Sequence, residues 1–274
     1  MRANHGLREF QLPEWAARAL RYWRHAVLVA VPLALLARIM AGAPIAQDPT
    51  YHDFADQRRL LGVPNLLDVI TNLPFLVLGV AGMLLCLGRL RPPRCASWLT
   101  FFAGVALVTF GSGFYHWEPS NATLVWDRLP MTIAFMAFLV ALLSEHLGER
   151  LERYLLVPAL GVGLASVLWW QYAGDLRVYY WVQAAPLVCL PFALLMFRGM
   201  YTQRAYLLYG LGLYVLAKLA EAWDLEIYDF TSGALSGHAL KHLLAAGAVL
   251  CVYLMLRRRR PAPPRGVTAS GARG

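Results

Sequence analysis

Two histidines near the end of the chain have the spacing of metal ligands. His238 and His242 are four residues apart, and in a helix this spacing puts both imidazoles on one face, where they can bind one ion. His116 is the candidate third ligand. Three imidazoles and one water around a tetrahedral Zn²⁺ form the open arrangement of hydrolytic zinc sites. The alternative interpretation is that each histidine only hydrogen-bonds a backbone carbonyl.

Two further polar residues are candidates for catalysis. Ser112 precedes His116 by four residues, so its hydroxyl lies one helical turn away on the same face. This hydroxyl can donate to a substrate oxygen or to the carbonyl one turn back, and the second role is the simpler one for serine in a buried helix. Asp127 can orient a ligand imidazole or act as a general base toward a metal-bound water.

A stretch rich in oxygen ligands precedes the second apolar segment. Its members are Asp53, Asp56, Asn65, Asp68 and Asn72. Ca²⁺ prefers such ligands, so the stretch is a possible calcium site. An ordinary polar loop, in which Asn65 or Asp68 caps the next helix, explains the same residues.

Two predictions concern the last third of the chain. Segment 222–236 is polar, with Trp223 and Asp224 at its start, and is expected to close over the site. Lys218 and Glu221 are three residues apart, a spacing that favours an ion pair along a helix.

The elements that must position these residues are membrane-spanning helices. The 274 residues are 59% hydrophobic and only 15% charged, with mean hydropathy +0.49, whereas a soluble domain has about 25% charged residues. A span needs about 20 mostly apolar residues. Eight windows meet this requirement: 26–43, 67–88, 98–116, 123–144, 154–173, 178–197, 205–221 and 237–256. We therefore predict an all-α, polytopic membrane helix bundle.

The basic residues predict how the bundle is oriented. With the N-terminus inside, the cytoplasmic segments hold 18 Lys and Arg and the opposite segments hold 3, the bias expected of cytoplasmic flanks. Both termini are thus predicted to be cytoplasmic. The net charge of +9 is explained by topology, and no nucleic-acid partner is expected. In this topology the polar residues of the spans share the non-cytoplasmic end, although the sequence scatters them widely.

The ordered set of these residues resembles the alkaline ceramidase family, one of the seven-span membrane hydrolases that also include adiponectin-receptor-like proteins. The resemblance is carried by Ser-x-x-x-His at Ser112 and His116, an Asp eleven residues on at Asp127, and His-x-x-x-His at His238 and His242. It covers most of the chain. It implies a zinc-dependent amidase that cleaves the N-acyl bond of a ceramide-like sphingolipid to a sphingoid base and a fatty acid.

The resemblance also implies roles for the candidate residues. His116, His238 and His242 would bind zinc, Asp127 would transfer the proton, and Ser112 would steady the developing oxyanion. The acidic stretch resembles a segment that binds calcium in that family, although Asn65 stands where a carboxylate is expected.

The family core has seven spans, so this chain is expected to carry an additional one. The predicted division is a cytoplasmic segment 1–25, an extra helix 26–43, a ceramidase-like domain 44–256 and a basic, disordered tail 257–274. Two alternatives remain: an ester-cleaving lipid hydrolase of the same fold, and a non-enzymatic membrane receptor whose zinc is structural. A closed site with four protein ligands would favour the receptor. No obvious fourth ligand accompanies the three histidines in the sequence.

Overall fold

The computed structural model of the chain describes residues 14–89, 95–197 and 201–261. Residues 1–13 of the predicted N-terminal segment and 262–274 of the predicted tail lie outside the described residues. Within them the regular elements are ten α-helices and one 3₁₀ turn, Pro49–His52. The helices are α1 Glu14–Met40, α2 Leu66–Ile70, α3 Leu73–Arg89, α4 Ala96–Trp117, α5 Asn121–Leu147, α6 Arg150–Ala173, α7 Arg177–Met196, α8 Ala205–Ala222, α9 Asp224–Phe230 and α10 Gly237–Arg258.

The predicted all-α membrane bundle is confirmed. Eight helical segments are long and apolar enough to cross a membrane, and they coincide with the eight predicted windows to within a few residues. Large apolar side chains such as Val77, Leu84 and Leu195 point outward and are exposed, as expected of a surface that contacts lipid. The chain is a multi-pass membrane protein.

The second span is broken near its start into α2 and α3. Pro74 is the second residue of α3, and proline cannot donate the backbone hydrogen bond that a continuous helix needs. The break falls at Thr71 and Asn72, and the Asn72 side chain donates to the Asp68 carbonyl at 2.7 Å. The interruption therefore places the polar side chains of Thr71 and Asn72 at this end of the span.

The centre of the bundle is the antiparallel pair α4 and α5. Gly111 allows the two helices to touch, because a Cβ atom there would lie 2.0 Å from the Trp126 carbonyl oxygen, and small residues generally mark such close crossings in membranes. Ser120 caps α5 by accepting from the Thr123 amide at 3.2 Å. The short turn between the helices therefore places the start of α5 beside the end of α4.

Helix α1 packs against α7. Leu28 is fully buried, and the Trp181 indole donates to the Pro32 carbonyl at 2.7 Å. The division into an extra helix and a seven-span domain stays a prediction, since packing alone does not define a domain boundary.

Candidate metal centre

The three predicted histidine ligands meet at one end of the bundle. His116 is the last residue but one of α4, and His238 and His242 lie in the first two turns of α10. Their ring centroids are 4.7, 5.0 and 5.1 Å apart. All three rings are buried, and one nitrogen of each lies within 4.8 Å of the others. Among the described residues this is the one cluster of His, Cys, Asp and Glu with the spacing of metal ligands.

The arrangement fits a tetrahedral ion. Ligand nitrogens on zinc, with bonds of 2.0–2.1 Å, are about 3.3 Å from one another. The Nε2 atoms of His116 and His238 are 3.2 Å apart. The His116 Nδ1 atom is buried and has no hydrogen-bond partner in the described part of the chain. Converging, desolvated nitrogen donors of this kind are suited to a borderline cation such as Zn²⁺.

Thr71 orients one of the rings. Its hydroxyl donates to the Leu67 carbonyl at 2.7 Å, so it accepts from the Nδ1–H of His242 at 3.0 Å. This assignment leaves His242 Nε2 unprotonated, which is the state a metal ligand needs. The break between α2 and α3 thus supplies a support for the site that the sequence analysis did not anticipate.

The start of α10 is fixed by close packing and by a cap. A Cβ atom at Gly237 would lie 2.2 Å from the Ala220 carbonyl oxygen, so only glycine allows α10 to approach α8 here. Ser236 accepts from the Ala239 amide at 2.9 Å and donates to Asp68 Oδ1 at 3.2 Å. These contacts place His238 one residue into the helix, beside His116.

Segment 222–236 contains the short helix α9 and does contact the site. Asp224 accepts from the His238 amide at 2.7 Å and from the Ala55 amide at 2.9 Å. One carboxylate therefore links the first turn of α10 to the segment that connects α1 and α2.

That connecting segment covers the histidines. The Phe54 ring is buried, with its centroid 4.7 Å from the His116 ring and 4.6 Å from the His238 ring. His52 anchors the segment, because its Nδ1 pairs with the Tyr115 hydroxyl at 2.9 Å and its Nε2 with Asn121 Oδ1 at 3.1 Å. We call residues 50–56 the cover. Sequence reasoning missed Phe54, since nothing in a lone aromatic residue of a loop signals such a contact.

A cavity of about 200 Å³ lies beside the histidines, between α4, α5, α7, α8 and α10. Ser112, Asp127 and His242 form part of its wall, and most of the remaining wall is apolar. The Ser112 hydroxyl faces the Asp127 carboxylate. The structure thus brings the two predicted catalytic side chains together next to the histidine cluster.

Lys241 is a member of the site that sequence reasoning overlooked. Its Nζ atom lies 2.7 Å from His238 Nε2 and 3.2 Å from Glu221 Oε1. The predicted ion pair of Lys218 and Glu221 is present, so one carboxylate holds both lysines. A metal bound at His238 Nε2 would take the lone pair that Lys241 uses, while the contact of Lys241 with Glu221 can persist.

The candidate calcium ligands have other partners. Asp56 is buried and paired with Arg58, whose guanidinium lies 2.7 Å away and holds the pKa of that carboxyl below its usual value. Asn65 donates its side-chain amide to the His116 carbonyl at 2.9 Å, and Asp53 is exposed. Asp68 is buried and bonded to Ser236. Calcium binding stays a prediction that these contacts do not support.

Fold and site together define a multi-pass membrane protein with a buried cluster of three histidines at one end. Residues 69–261 match a protein family described as a family of unknown function (DUF6962), and the chain belongs to that family. No curated protein matches it. The three histidines, Ser112 and Asp127 lie inside the matched region, whereas α1 and the cover precede it.

Proposed function

We propose that this protein is a zinc-dependent membrane amidohydrolase that cleaves the N-acyl bond of ceramide-like lipids. The observation that carries the proposal is the convergence of three buried imidazoles, one of which, His242, lines a mostly apolar cavity. The ordered resemblance to alkaline ceramidases supports the choice of substrate.

Each candidate residue has a definite task in the proposed reaction. His116, His238 and His242 would hold the metal, and bound zinc supplies a Lewis acid and lowers the pKa of a coordinated water to about 7. Asp127 lies at the cavity wall where it can take a proton from water and pass it to the leaving amine. Ser112 faces Asp127 and can donate to the oxygen of the scissile carbonyl.

The cavity suits a lipid substrate. Its apolar wall includes Phe101, Val105, Phe135 and Leu190, and its polar wall is the histidine side. An acyl chain placed along the apolar wall would bring its amide to the level of His242. Open catalytic zinc sites keep one position for water or substrate, and the described part of the chain supplies no fourth His, Cys, Asp or Glu to this cluster.

The test is metal analysis of the purified protein together with fatty-acid release from ceramide and from a phospholipid. About one zinc per chain with release from ceramide is the expected result. Release from the phospholipid alone would replace the amidase by the ester-cleaving hydrolase. Zinc without any release would favour the receptor with a structural metal, and absence of zinc would overturn the proposal.

We further propose that both termini are cytoplasmic and that the metal centre faces the opposite side. The 18 to 3 distribution of basic residues supports this orientation. In a background without native cysteines, an impermeant thiol reagent should label a cysteine introduced in 222–236 and should not label one in 201–204. The reverse pattern would invert the topology without changing the site.

A further inference from the structure

Lysine is used in this chain only beside the cavity. The sequence has 25 basic residues, of which only Lys218 and Lys241 are lysine. Both lie within spans, both contact Glu221, and both line the cavity. The other 23 basic residues are arginine, and the predicted membrane orientation depends on them. Ionisable residues inside spans are costly and usually serve a function, so this pair requires an explanation other than membrane orientation.

Lys241 is the member of the pair that faces the histidines. Its side chain is 18% exposed, whereas that of Lys218 is 53% exposed. An ammonium has three donors. One of those of Lys241 is directed to Glu221 and another to His238 Nε2. A metal on that nitrogen would displace this ammonium from the lone pair, and the donor directed at His238 would then be available to another acceptor in the cavity.

Glu221 fixes the position of this ammonium. One carboxylate contacts two lysines. Asp127 and Asp68 also interact electrostatically with Lys241, and the contact with Glu221 is the one that fixes its position. The nearby cavity wall is mostly apolar, and charge interactions are stronger in such surroundings than in water. A fixed ammonium beside a mostly apolar cavity is complementary to an amphiphile that has an anionic head and a hydrocarbon chain.

We propose that Lys241, positioned by Glu221, is an anion-binding residue that holds an oxyanion on an alkyl chain in the cavity. The inference rests on the proposed function in one respect: cleavage of an acyl bond releases a fatty carboxylate at this position. A phosphate on the substrate's headgroup has the same chemistry, and the two sources are separated by experiment.

The presence of only two lysines makes a direct measurement feasible. Protein labelled with ¹⁵N-lysine has two side-chain ammonium signals, which the variants Lys218→Arg and Lys241→Arg assign. Dodecanoate, dodecyl phosphate and dodecanol are then titrated into the labelled protein in an uncharged detergent, once with zinc and once after chelation. The readout is the shift of the Lys241 signal and needs no enzymatic activity.

We expect the Lys241 signal to shift saturably with an anionic amphiphile and to shift much less with dodecanol. A response to dodecanoate identifies the carboxylate as the source of the anion, and a response to dodecyl phosphate alone identifies a phosphorylated headgroup. An equal response to dodecanol, or no response to either anion, would overturn the proposal. Because chelated protein is measured too, anion binding can fail or succeed independently of the zinc-hydrolase proposal.

Substitution provides the second arm. Lys241→Met keeps an unbranched side chain and removes the charge, so the affinity for the anion should fall about tenfold or more, the loss expected for a hydrogen bond to a charged group. Affinity for dodecanol should stay within about twofold, which shows that the cavity is intact. Unchanged affinity for both anions in Lys241→Met would also overturn the proposal.

Discussion

The two ends of the bundle both bury polar side chains, but they combine them differently. At the opposite end, acids meet donors: Glu145 accepts from the Trp98 indole at 2.9 Å and from Arg259 at 2.5 Å, and Glu152 accepts from the Ser97 amide at 2.5 Å. At the histidine end, three imidazoles face one another with an ammonium against them.

The difference distinguishes polar pairs that stabilise the fold from a cluster that can bind a ligand. Acids and donors that pair in this way stabilise a fold, although Ser97 Oγ, Ser144 Oγ and Arg259 Nε at this end have no partner among the described residues. The cavity at this end measures only about 20 Å³. At the histidine end the rings contact one another and Lys241, and the buried Nδ1 atom of His116 has no partner in the described part of the chain. Burying such an atom is costly unless it finds a ligand. The cavity beside the histidines is about 200 Å³. The larger cavity and the converging imidazoles are therefore the features that distinguish the histidine end.

The largest effect is expected from the histidines themselves. Replacing His116, His238 or His242 by alanine should remove both bound zinc and activity, because two imidazoles cannot hold the ion in an open site. The matched control is His146→Ala, a histidine at the opposite end whose Nδ1 bonds the Leu142 carbonyl at 2.8 Å. Stoichiometric zinc in the double variant His238→Ala, His242→Ala would contradict the assignment.

Asp127→Asn should separate proton transfer from metal binding. The side chain faces Ser112 and is not needed to complete three imidazoles, so zinc should be retained while the rate falls by roughly 10²-fold or more. The measurement is zinc content and turnover on the same preparation. If zinc is lost with the activity, Asp127 supports the metal. If neither changes, another group, with Ser112 or Asp68 the next to test, moves the proton.

Thr71→Val should weaken the metal site without removing it. Valine keeps the shape of the side chain but cannot accept the Nδ1–H of His242, and loss of such a partner lowers metal affinity by about 10–100-fold. Competition with a chelator measures the affinity. Thr109→Val is the control, because Thr109 donates to the Asn72 carbonyl at 3.0 Å and makes no hydrogen bond to a histidine among the described contacts. Equal zinc affinity in both variants would show that Thr71 does not orient His242.

The smallest effect on activity is expected at the opposite end. Glu145→Gln removes the charge that faces the buried guanidinium of Arg259, so the free energy of unfolding should fall by on the order of 1–3 kcal/mol. Zinc content and activity should stay unchanged. Thermal unfolding of the variant provides the measurement. Loss of zinc with unchanged stability would show that Glu145 supports the metal centre and not the fold.

The sequence was sufficient for the spans and for the convergence of the histidines. Hydropathy identifies each helix, and strict alternation of direction brings the end of α4 and the start of α10 to one side. The break at Thr71 was missed although Pro74 signals it. Lys241 was missed for a different reason: His238 lies three residues before it on the same helix, but Glu221 lies 20 residues before it on α8, and only packing brings that carboxylate to it.

The burial of the histidines beside a mostly apolar cavity determines which substrate concentration sets the rate of the proposed hydrolase. Phe54 contacts the His116 and His238 rings and is absent from the wall of the cavity. In the proposed hydrolase, the lipid substrate enters the mostly apolar cavity from the bilayer. The rate would then follow the mole fraction of substrate in the membrane or micelle, and dilution with inert detergent would lower it even at constant bulk concentration.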